Sequence, residues 1–119
     1  ESGVREIRGT RLHSTTAHRL PNTSHVAFEG VEGEALLIRL DLAGFAVSTG
    51  SACSSGAVEP SVAARAMRME RAEALSSLRV SFGMTNTADE VDRFLAALAH
   101  EVAELRELSG EPAVAEVAR

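Results

Sequence analysis

The strongest constraint on the fold is an amphipathic pattern near the C-terminus. Thr87-Ala-Asp-Glu90 is a capping box, in which a threonine and a glutamate three residues later satisfy the first backbone amides of a helix. The apolar residues that follow keep the 3.6-residue period of a helix: Val91, Phe94, Leu95, Leu98, Val102 and Leu105. Because such a stripe must be buried against another layer, the pattern predicts a helix that packs on a core.

A short strand is predicted just before this helix. Apolar and polar side chains alternate strictly in Leu78-Arg-Val-Ser-Phe82. Successive side chains of a strand point to opposite faces, so the three apolar residues share one face and Arg79 and Ser81 share the other. The segment therefore predicts a half-buried strand with an arginine on its polar face.

Weaker patterns predict the other elements and the fold class. In chain order they are a strand near Glu6 to Leu12, a strand from Ser24 to Phe28, a helix from Glu34 to Leu42 that ends at Gly44, a strand from Phe45 to Val47, and a helix from Pro60 to about Met69. We interpret Gly30-Val-Glu-Gly33 as a turn, because its acidic residues would repel a phosphate. Since strands and helices alternate, we expect one α/β or α+β domain over residues 1–119, with helices packed on a small sheet.

Composition limits the classes of partner. The formal net charge of -5, with four phenylalanines and no tryptophan or tyrosine, argues against nucleic-acid binding, which uses a basic face and stacking aromatics. No apolar run is long enough for a membrane span, and one cysteine cannot form an internal disulfide. We therefore expect a cytoplasmic protein that binds neither nucleic acid nor membranes.

The chain contains no lysine. Its lysine and arginine count is 12, and all 12 are arginine. This excludes a lysine nucleophile from the chain, including a lysine Schiff base to pyridoxal phosphate. The chain begins at Glu1 without an initiator methionine, so we also expect it to be part of something larger.

The single cysteine lies in an unusual segment, Ser48-Thr-Gly-Ser-Ala-Cys-Ser-Ser-Gly56. Cysteines that serve packing usually have apolar neighbours, and Cys53 has none in sequence. One interpretation is an incidental thiol; the other is a nucleophile on a mobile loop that carries a group between two sites. Because the loop residues have little apolar area, we predict that the segment from about Ser51 to Val58 is mobile.

Arginine and histidine are the other candidates for chemistry. Arg79 can aim a two-pronged guanidinium at a carboxylate, although it can equally be a solvated strand residue. The histidines are dispersed in the sequence and show no metal-ligand spacing, so we expect surface or capping roles and no catalytic base among His13, His18, His25 and His100.

Three segments of the chain resemble the C-terminal part of cysteine desulfurases, within the NifS/IscS-like group. They are Gly30-Val-Glu-Gly-Glu-Ala-Leu-Leu37, then Val47 to Gly56 with Glu59-Pro-Ser61, and Ser77 to Gly83 followed by Asn86-Thr87. They occur in family order, and the likeness runs from about Arg19 to about Leu108. It falters at Arg68, where the family tends to have a glycine that ends a helix.

The resemblance implies an expected fold and activity. The fold would be the small domain of a fold-type I pyridoxal-phosphate enzyme of the class V aminotransferase superfamily, with a small antiparallel or mixed sheet and helices packed on one face. The full-length homodimer would move sulfur from L-cysteine to a persulfide on Cys53 and release L-alanine. An acceptor protein or iron–sulfur scaffold would then receive the sulfur.

The resemblance also assigns roles to residues. Cys53 would be the catalytic persulfide carrier, Arg79 would bind the substrate carboxylate, and Asn22 would be structural. Pyridoxal 5'-phosphate would be bound by a preceding large domain, so we expect no cofactor-binding or metal-binding residue in this chain, and no activity from the chain alone. Two alternatives are a non-enzymatic sulfur-carrier or interaction module, and the small domain of a selenocysteine lyase-like homologue.

Overall fold

The computed structural model describes residues 1–13, 22–49, 51–54, 57–60, 65–66 and 68–110. Among these, the helices and strands are, in chain order, α1 (Ser2–Arg5), β1 (Thr10–Leu12), β2 (Thr23–Phe28), α2 (Gly33–Leu42), β3 (Ser48–Thr49), β4 (Ser51–Ser54), β5 (Ala57–Pro60), α3 (Arg71–Leu75), β6 (Ser77–Ser81) and α4 (Ala88–Leu108).

The strands form a four-stranded antiparallel sheet in the order β1-β2-β6-β3, and β4 and β5 form a separate antiparallel ribbon. The central pair aligns Val26 with Leu78 and His25 with Arg79. Because side chains alternate along a strand, this register puts Val26 and Leu78 on one face and His25 and Arg79 on the other. The expected small antiparallel sheet with packed helices is confirmed.

The core lies between the apolar face of the sheet and helices α2 and α4. Its buried members come from both layers: Val26, Phe28, Leu36, Leu40, Leu78, Val80, Phe94, Leu98 and Val102. In α4 the buried residues recur at intervals of four, as the sequence pattern predicts. The capping box is also present, since the Glu90 amide donates to Thr87 Oγ1 at 3.2 Å and the Thr87 amide donates to Glu90 Oε1 at 2.9 Å.

Helix α2 ends as predicted at Gly44, where φ is +96°. The Phe45 amide donates to the Leu40 carbonyl at 2.8 Å and the Gly44 amide donates to the Asp41 carbonyl at 3.0 Å. This is the Schellman arrangement, which requires a residue that tolerates positive φ.

The predicted strand at Phe45 to Val47 was placed too early. Phe45 packs edge-on against Phe94, with ring centroids 5.5 Å apart, so its segment belongs to the core and not to the sheet. Strand pairing starts only at β3, where Ser48 lies opposite Arg79.

Two further boundaries differ from the sequence-based expectation. Of the strand predicted near Glu6 to Leu12, only β1 pairs, because the Glu6 and Ile7 amides are used in turns that continue α1. Pro60 does not begin a helix; it ends β5 opposite Ser51, at the end of a ribbon where a residue without an N–H is tolerated. Most of the predicted helix after it, residues 61–64 and 67, lies outside the described residues.

A short helix that was not predicted, α3, lies against the opposite face of the sheet. Ser77 Oγ donates to the Ala74 carbonyl at 2.7 Å, and Ser77 and its cross-strand partner Ala27 are both buried. The sheet is thus covered on part of both faces, which explains why β2 is buried at three successive positions instead of alternate ones.

Candidate functional site

Four polar residues form a row across the sheet, on the face away from the main core. Arg79 pairs with His25 on one side and with Ser48 on the other. His13 extends the row past the end of β1, because its amide donates to the His25 carbonyl at 2.9 Å. Directly paired residues point to the same face, so antiparallel pairing brings together side chains that are far apart in sequence.

Arg79 is exposed, and among the described residues one side-chain hydrogen bond positions it. Its Nη2 donates to Ser48 Oγ at 3.1 Å. No ion pair joins Arg79 to any residue in the described part of the chain. The guanidinium has five N–H donors in a planar fork, so most of them remain available to an anionic ligand, and a carboxylate fits the fork.

The two histidines of the row are in direct contact. His13 Nδ1 and His25 Nδ1 are 2.6 Å apart, and the ring centroids are 4.8 Å apart. His13 is buried, and its Nε2 lies 2.8 Å from Glu73 Oε1 on α3. Arg11 Nε lies 3.4 Å from the same carboxylate oxygen. A continuous chain of hydrogen bonds therefore runs from Glu73 through His13 to His25, beside Arg79.

The expectation of dispersed histidines in surface or capping roles was wrong for this pair. His13 and His25 are far apart in sequence but lie side by side because β1 and β2 are antiparallel neighbours. His13 follows the end of β1 and His25 lies within β2, and the strand register that brings them together is a tertiary property. His100 does lie on the surface, 3.5 Å from Glu104, and His18 lies outside the described residues.

Burial lowers the pKa of His25 below its ordinary value of 6.5. The neighbouring His13 and the positive charge of Arg79 lower the pKa of His25 further, while Glu73 opposes them. The ring of His25 is thus neutral at neutral pH, with one ring nitrogen unprotonated.

Cys53 lies in the ribbon that directly follows β3. In the register of this ribbon Cys53 is opposite Val58. Cys53 is five positions after Ser48 in the sequence, so their Cα atoms are at most about 18 Å apart. The backbone of the described residues here is a paired ribbon and not an irregular loop, and its mobility stays a prediction.

Asn22 has the structural role expected from the resemblance. Its Nδ2 donates to the Phe82 carbonyl at 3.2 Å, and the Phe82 amide donates to the Asn22 carbonyl at 2.9 Å. These two hydrogen bonds extend the pairing of β2 and β6 by one residue beyond Thr23 and Ser81. Asn22 thereby helps to hold the strand that carries Arg79.

Neither a metal site nor a membrane span is found among the described residues. No group of three or more metal-ligating side chains in this part of the chain could hold an ion. None of the described helices is both long and apolar enough to cross a membrane. The residue set also does not fit covalently held pyridoxal phosphate, because the sequence has no lysine amine to which the aldehyde could attach.

Comparisons with known proteins agree with the resemblance seen in the sequence. A cysteine desulfurase of Gluconacetobacter diazotrophicus is 49% identical over 110 residues, which are 92% of this chain and 28% of that protein. The cysteine desulfurase NifS of Azotobacter vinelandii is 45% identical over 92 residues, 77% of this chain and 23% of that protein. The chain therefore spans about a quarter of the length of these relatives.

The fold also matches solved structures. A NifS-like protein superposes with a TM-score of 0.72 at 28% sequence identity, over 87% of this chain and 25% of that one. The NifS-like protein from Rickettsia africae superposes with a TM-score of 0.67 at 26% identity. The model of the family described as aminotransferase class V matches residues 1–94. Since this match covers most of the sequence, the chain belongs to the class V aminotransferase family.

Proposed function

We propose that residues 1–119 are the C-terminal small domain of a cysteine desulfurase. In this function Arg79 binds the carboxylate of L-cysteine, and Cys53 accepts the sulfur of L-cysteine as a persulfide. The proposal is supported by the relatives, which are named cysteine desulfurases and match over up to 92% of this chain.

The observation that carries the proposal is the state of Arg79. Its guanidinium is exposed on a sheet face, held by Ser48 and free of any carboxylate in the described part of the chain. An arginine that only stabilised the strand would be expected to bind a neighbouring acid or carbonyl. A guanidinium that is positioned by a hydroxyl, with no carboxylate to neutralise its charge, can instead bind an anionic ligand from outside the domain.

The proposed chemistry of Cys53 is a sulfur transfer. The carbon–sulfur bond of L-cysteine breaks, a sulfur–sulfur bond to Cys53 Sγ forms, and the carbon that loses sulfur takes a hydrogen in its place. The products are L-alanine and a Cys53 persulfide, so atoms and electrons balance without an external oxidant. β3 and β4 are consecutive, so the strand that holds Ser48 against Arg79 leads directly to Cys53.

The remainder of the whole protein would supply what this chain lacks. Pyridoxal 5'-phosphate would be attached to a lysine of a large domain outside residues 1–119, because this chain has none. The chain covers 28% of a matched relative, which leaves room for such a domain. The proposal further includes a homodimer and a sulfur-acceptor or iron–sulfur scaffold protein as partners.

Steady-state kinetics of the whole protein test the role of Arg79. Arg79→Ala should lower kcat/KM for L-cysteine about 30-fold to 1000-fold, because a charge-assisted carboxylate contact of roughly 2 to 4 kcal/mol is lost. Arg79→Lys should restore only part of it, since lysine has no fork. Arg93→Ala, another exposed arginine, is the matched control. Equal kinetics for wild type and Arg79→Ala would refute the assignment.

Mass spectrometry of the whole protein tests the role of Cys53. After incubation with L-cysteine, wild type should gain the mass of a sulfur atom on the peptide that contains Cys53, and Cys53→Ser should not. The variant should also lose release of L-alanine. Undiminished release of alanine and sulfide by Cys53→Ser would contradict the proposal.

A further inference from the structure

The contact between the two histidines determines where their protons lie. An ionised carboxylate only accepts hydrogen bonds, so His13 Nε2, at 2.8 Å from Glu73 Oε1, must carry a hydrogen. In a neutral His13 the other nitrogen, Nδ1, is then an acceptor. His25 Nδ1, 2.6 Å away, must donate to it. It follows that Nε2 of a neutral His25 is unprotonated.

The unprotonated nitrogen of His25 has no partner among the residues that the structure describes. Nε2 of His25 forms no hydrogen bond with any residue in the described part of the chain. His25 is partly exposed and is the direct cross-strand neighbour of Arg79, on the same face of the sheet. A base with a free lone pair therefore lies next to the guanidinium.

We propose that Glu73, His13 and His25 form a proton relay whose open end, His25 Nε2, receives a proton from the ligand bound at Arg79. That this ligand is L-cysteine, with an acidic thiol and ammonium group, rests on the proposed function; the relay itself does not. His25 is the proton-accepting residue, and His13 and Glu73 are positioning residues that act through it.

Each proton transfer in the relay conserves charge. One proton arrives at His25 Nε2, and the proton on His25 Nδ1 crosses to His13 Nδ1. The positive charge then lies on the buried ring of His13, where it is paired with the Glu73 carboxylate. Release of the His13 Nε2 proton through Glu73 leaves both rings neutral, with hydrogens on His25 Nε2 and His13 Nδ1. The starting tautomers return when Glu73 delivers a proton back to His13 Nε2, the His13 Nδ1 proton crosses to His25 Nδ1, and His25 Nε2 gives its proton to the group bound at Arg79.

The inner end of the relay reaches solvent. Glu73 is 22% exposed and lines a cleft of about 790 Å³ between β1, β2 and α3. A proton delivered to this carboxylate can leave through the cleft, beyond the His13 end of the row. The cleft also contains Glu29, Glu32 and Glu70, whose negative charges attract protons.

The charged groups around His25 have opposing effects on proton uptake. Arg79 on β6 and a charged His13 beyond β1 disfavour a proton on His25, whereas Glu73 on α3 favours it. Arg11 on β1 shares the Glu73 carboxylate and weakens its pull. An anionic ligand on Arg79 neutralises the nearest opposing charge, so binding of a carboxylate should promote proton uptake by the relay.

Nuclear magnetic resonance of the whole protein with 15N-labelled histidine rings tests the proton positions. His25→Asn and His13→Gln assign the signals. At neutral pH we expect His25 Nδ1 and His13 Nε2 to be protonated, and His25 Nε2 and His13 Nδ1 to be unprotonated. A hydrogen on His25 Nε2 at neutral pH would overturn the proposal whether or not the protein is a desulfurase.

The pH profile of turnover tests the relay in catalysis. Asparagine can still donate to His13 Nδ1 but cannot accept a proton at the Nε2 position. His25→Asn should therefore lower kcat/KM for L-cysteine about 100-fold and remove one ionisation from its pH profile, while the KM change stays small. Glu73→Gln should shift the same ionisation, and His100→Asn should change nothing.

The outcomes separate the relay from the proposed function. A wild-type pH profile in His25→Asn would refute the relay while desulfurase activity stands. Absence of any desulfurase activity in the wild-type protein would refute the proposed function, and the resonance measurement would still decide the proton positions.

Discussion

Arg68 has a left-handed backbone, with φ of +55°, and is the one described residue other than glycine with positive φ. This is the position where the family resemblance leads us to expect a glycine that ends a helix. Left-handed φ costs an ordinary L-residue roughly 1 to 2 kcal/mol, because its Cβ approaches the following carbonyl. The backbone at Arg68 thus has a conformation that suits glycine, although the residue is arginine. The domain tolerates the strain that this substitution brings.

Arg68→Gly should therefore stabilise the domain. The relief of strain exceeds the added entropy of the unfolded chain, so the free energy of unfolding should rise by about 0.5 to 1 kcal/mol. Urea unfolding should show a higher midpoint with an unchanged slope. Ala72→Gly, in the exposed part of α3, is the contrast and should destabilise by about 1 kcal/mol. Equal losses in both variants would argue against strain at Arg68.

Gly33 is required by close packing and not by its backbone angles. A Cβ at this position would lie 2.9 Å from the Leu75 carbonyl oxygen and 3.0 Å from the Ser77 carbonyl oxygen. These are backbone atoms, which cannot move without displacing the start of β6. The first turn of α2 is thereby seated directly on the strand that carries Arg79.

Gly33→Ala should destabilise the domain by about 1 to 3 kcal/mol, the usual cost of overpacking. Thermal unfolding followed by circular dichroism would measure the loss. Gly44→Ala is the comparison variant, because a Cβ at Gly44 would meet nothing within 4 Å. It is still expected to destabilise, since Gly44 has a φ of +96°. A loss from Gly44→Ala would therefore reflect backbone strain alone. A stable Gly33→Ala variant would mean that α2 can shift without cost.

At the scale of the elements, the end of α4 is tied to the opposite end of the chain by Arg106. Its guanidinium donates to three backbone carbonyls, those of Glu29 at 2.9 Å, Arg8 at 2.6 Å and Gly9 at 3.3 Å. These carbonyls belong to the turn that precedes β1 and the turn that follows β2. One side chain thus satisfies backbone groups from two separate turns and closes the sheet onto the long helix.

Arg106→Ala should lower the free energy of unfolding by about 2 kcal/mol, because several charge-assisted hydrogen bonds are lost and the carbonyls lose their partner. Chemical denaturation would measure this change. Arg93→Ala is the control on the same helix, since Arg93 is exposed and its ion pair in the described part of the chain is with Asp89 at 3.4 Å; the substitution should cost less than about 0.5 kcal/mol. Similar losses from both substitutions would show that helix propensity, and not the carbonyl contacts, is responsible.

At the scale of the whole molecule, His25 couples folding to pH. In the folded state the pKa of His25 is below 6.5, and in the unfolded chain it returns to that value. Between the two values the unfolded chain binds more protons, so acidification favours unfolding. The stability that comes from a neutral His25 is fully present above about pH 6.5 and is lost as pH falls toward the lowered pKa.

His25→Asn should therefore reduce the sensitivity of the domain to acid. The free energy of unfolding of the wild type should fall more steeply between pH 7 and pH 5 than that of the variant. The difference between their pH slopes, and not the stability at one pH, is the quantity to measure. Parallel slopes would show that His25 has the same pKa in the folded and unfolded states.

The sequence alone predicted those helices and strands whose type and position follow from the pattern of their own residues. The capping box and apolar stripe of α4, the alternation of β6 and the glycine that ends α2 are local patterns, and each element formed where its pattern lies. The family resemblance likewise depends on short runs of residues. Arg79 was accordingly recognisable as a candidate before the fold was known, since its place on the polar face of a strand follows from period 2 alone.

Only the tertiary structure decided which distant residues meet. The contact of His13 with His25, the seating of Gly33 on β6 and the reach of Arg106 depend on strand register and helix placement, which arise from packing of the whole core. The start of β3 was misplaced for the same reason, because Phe45 packs against Phe94 in the core and does not join the sheet. Local sequence determines what an element is, whereas the free energy of burying all the apolar faces together determines what that element lies against.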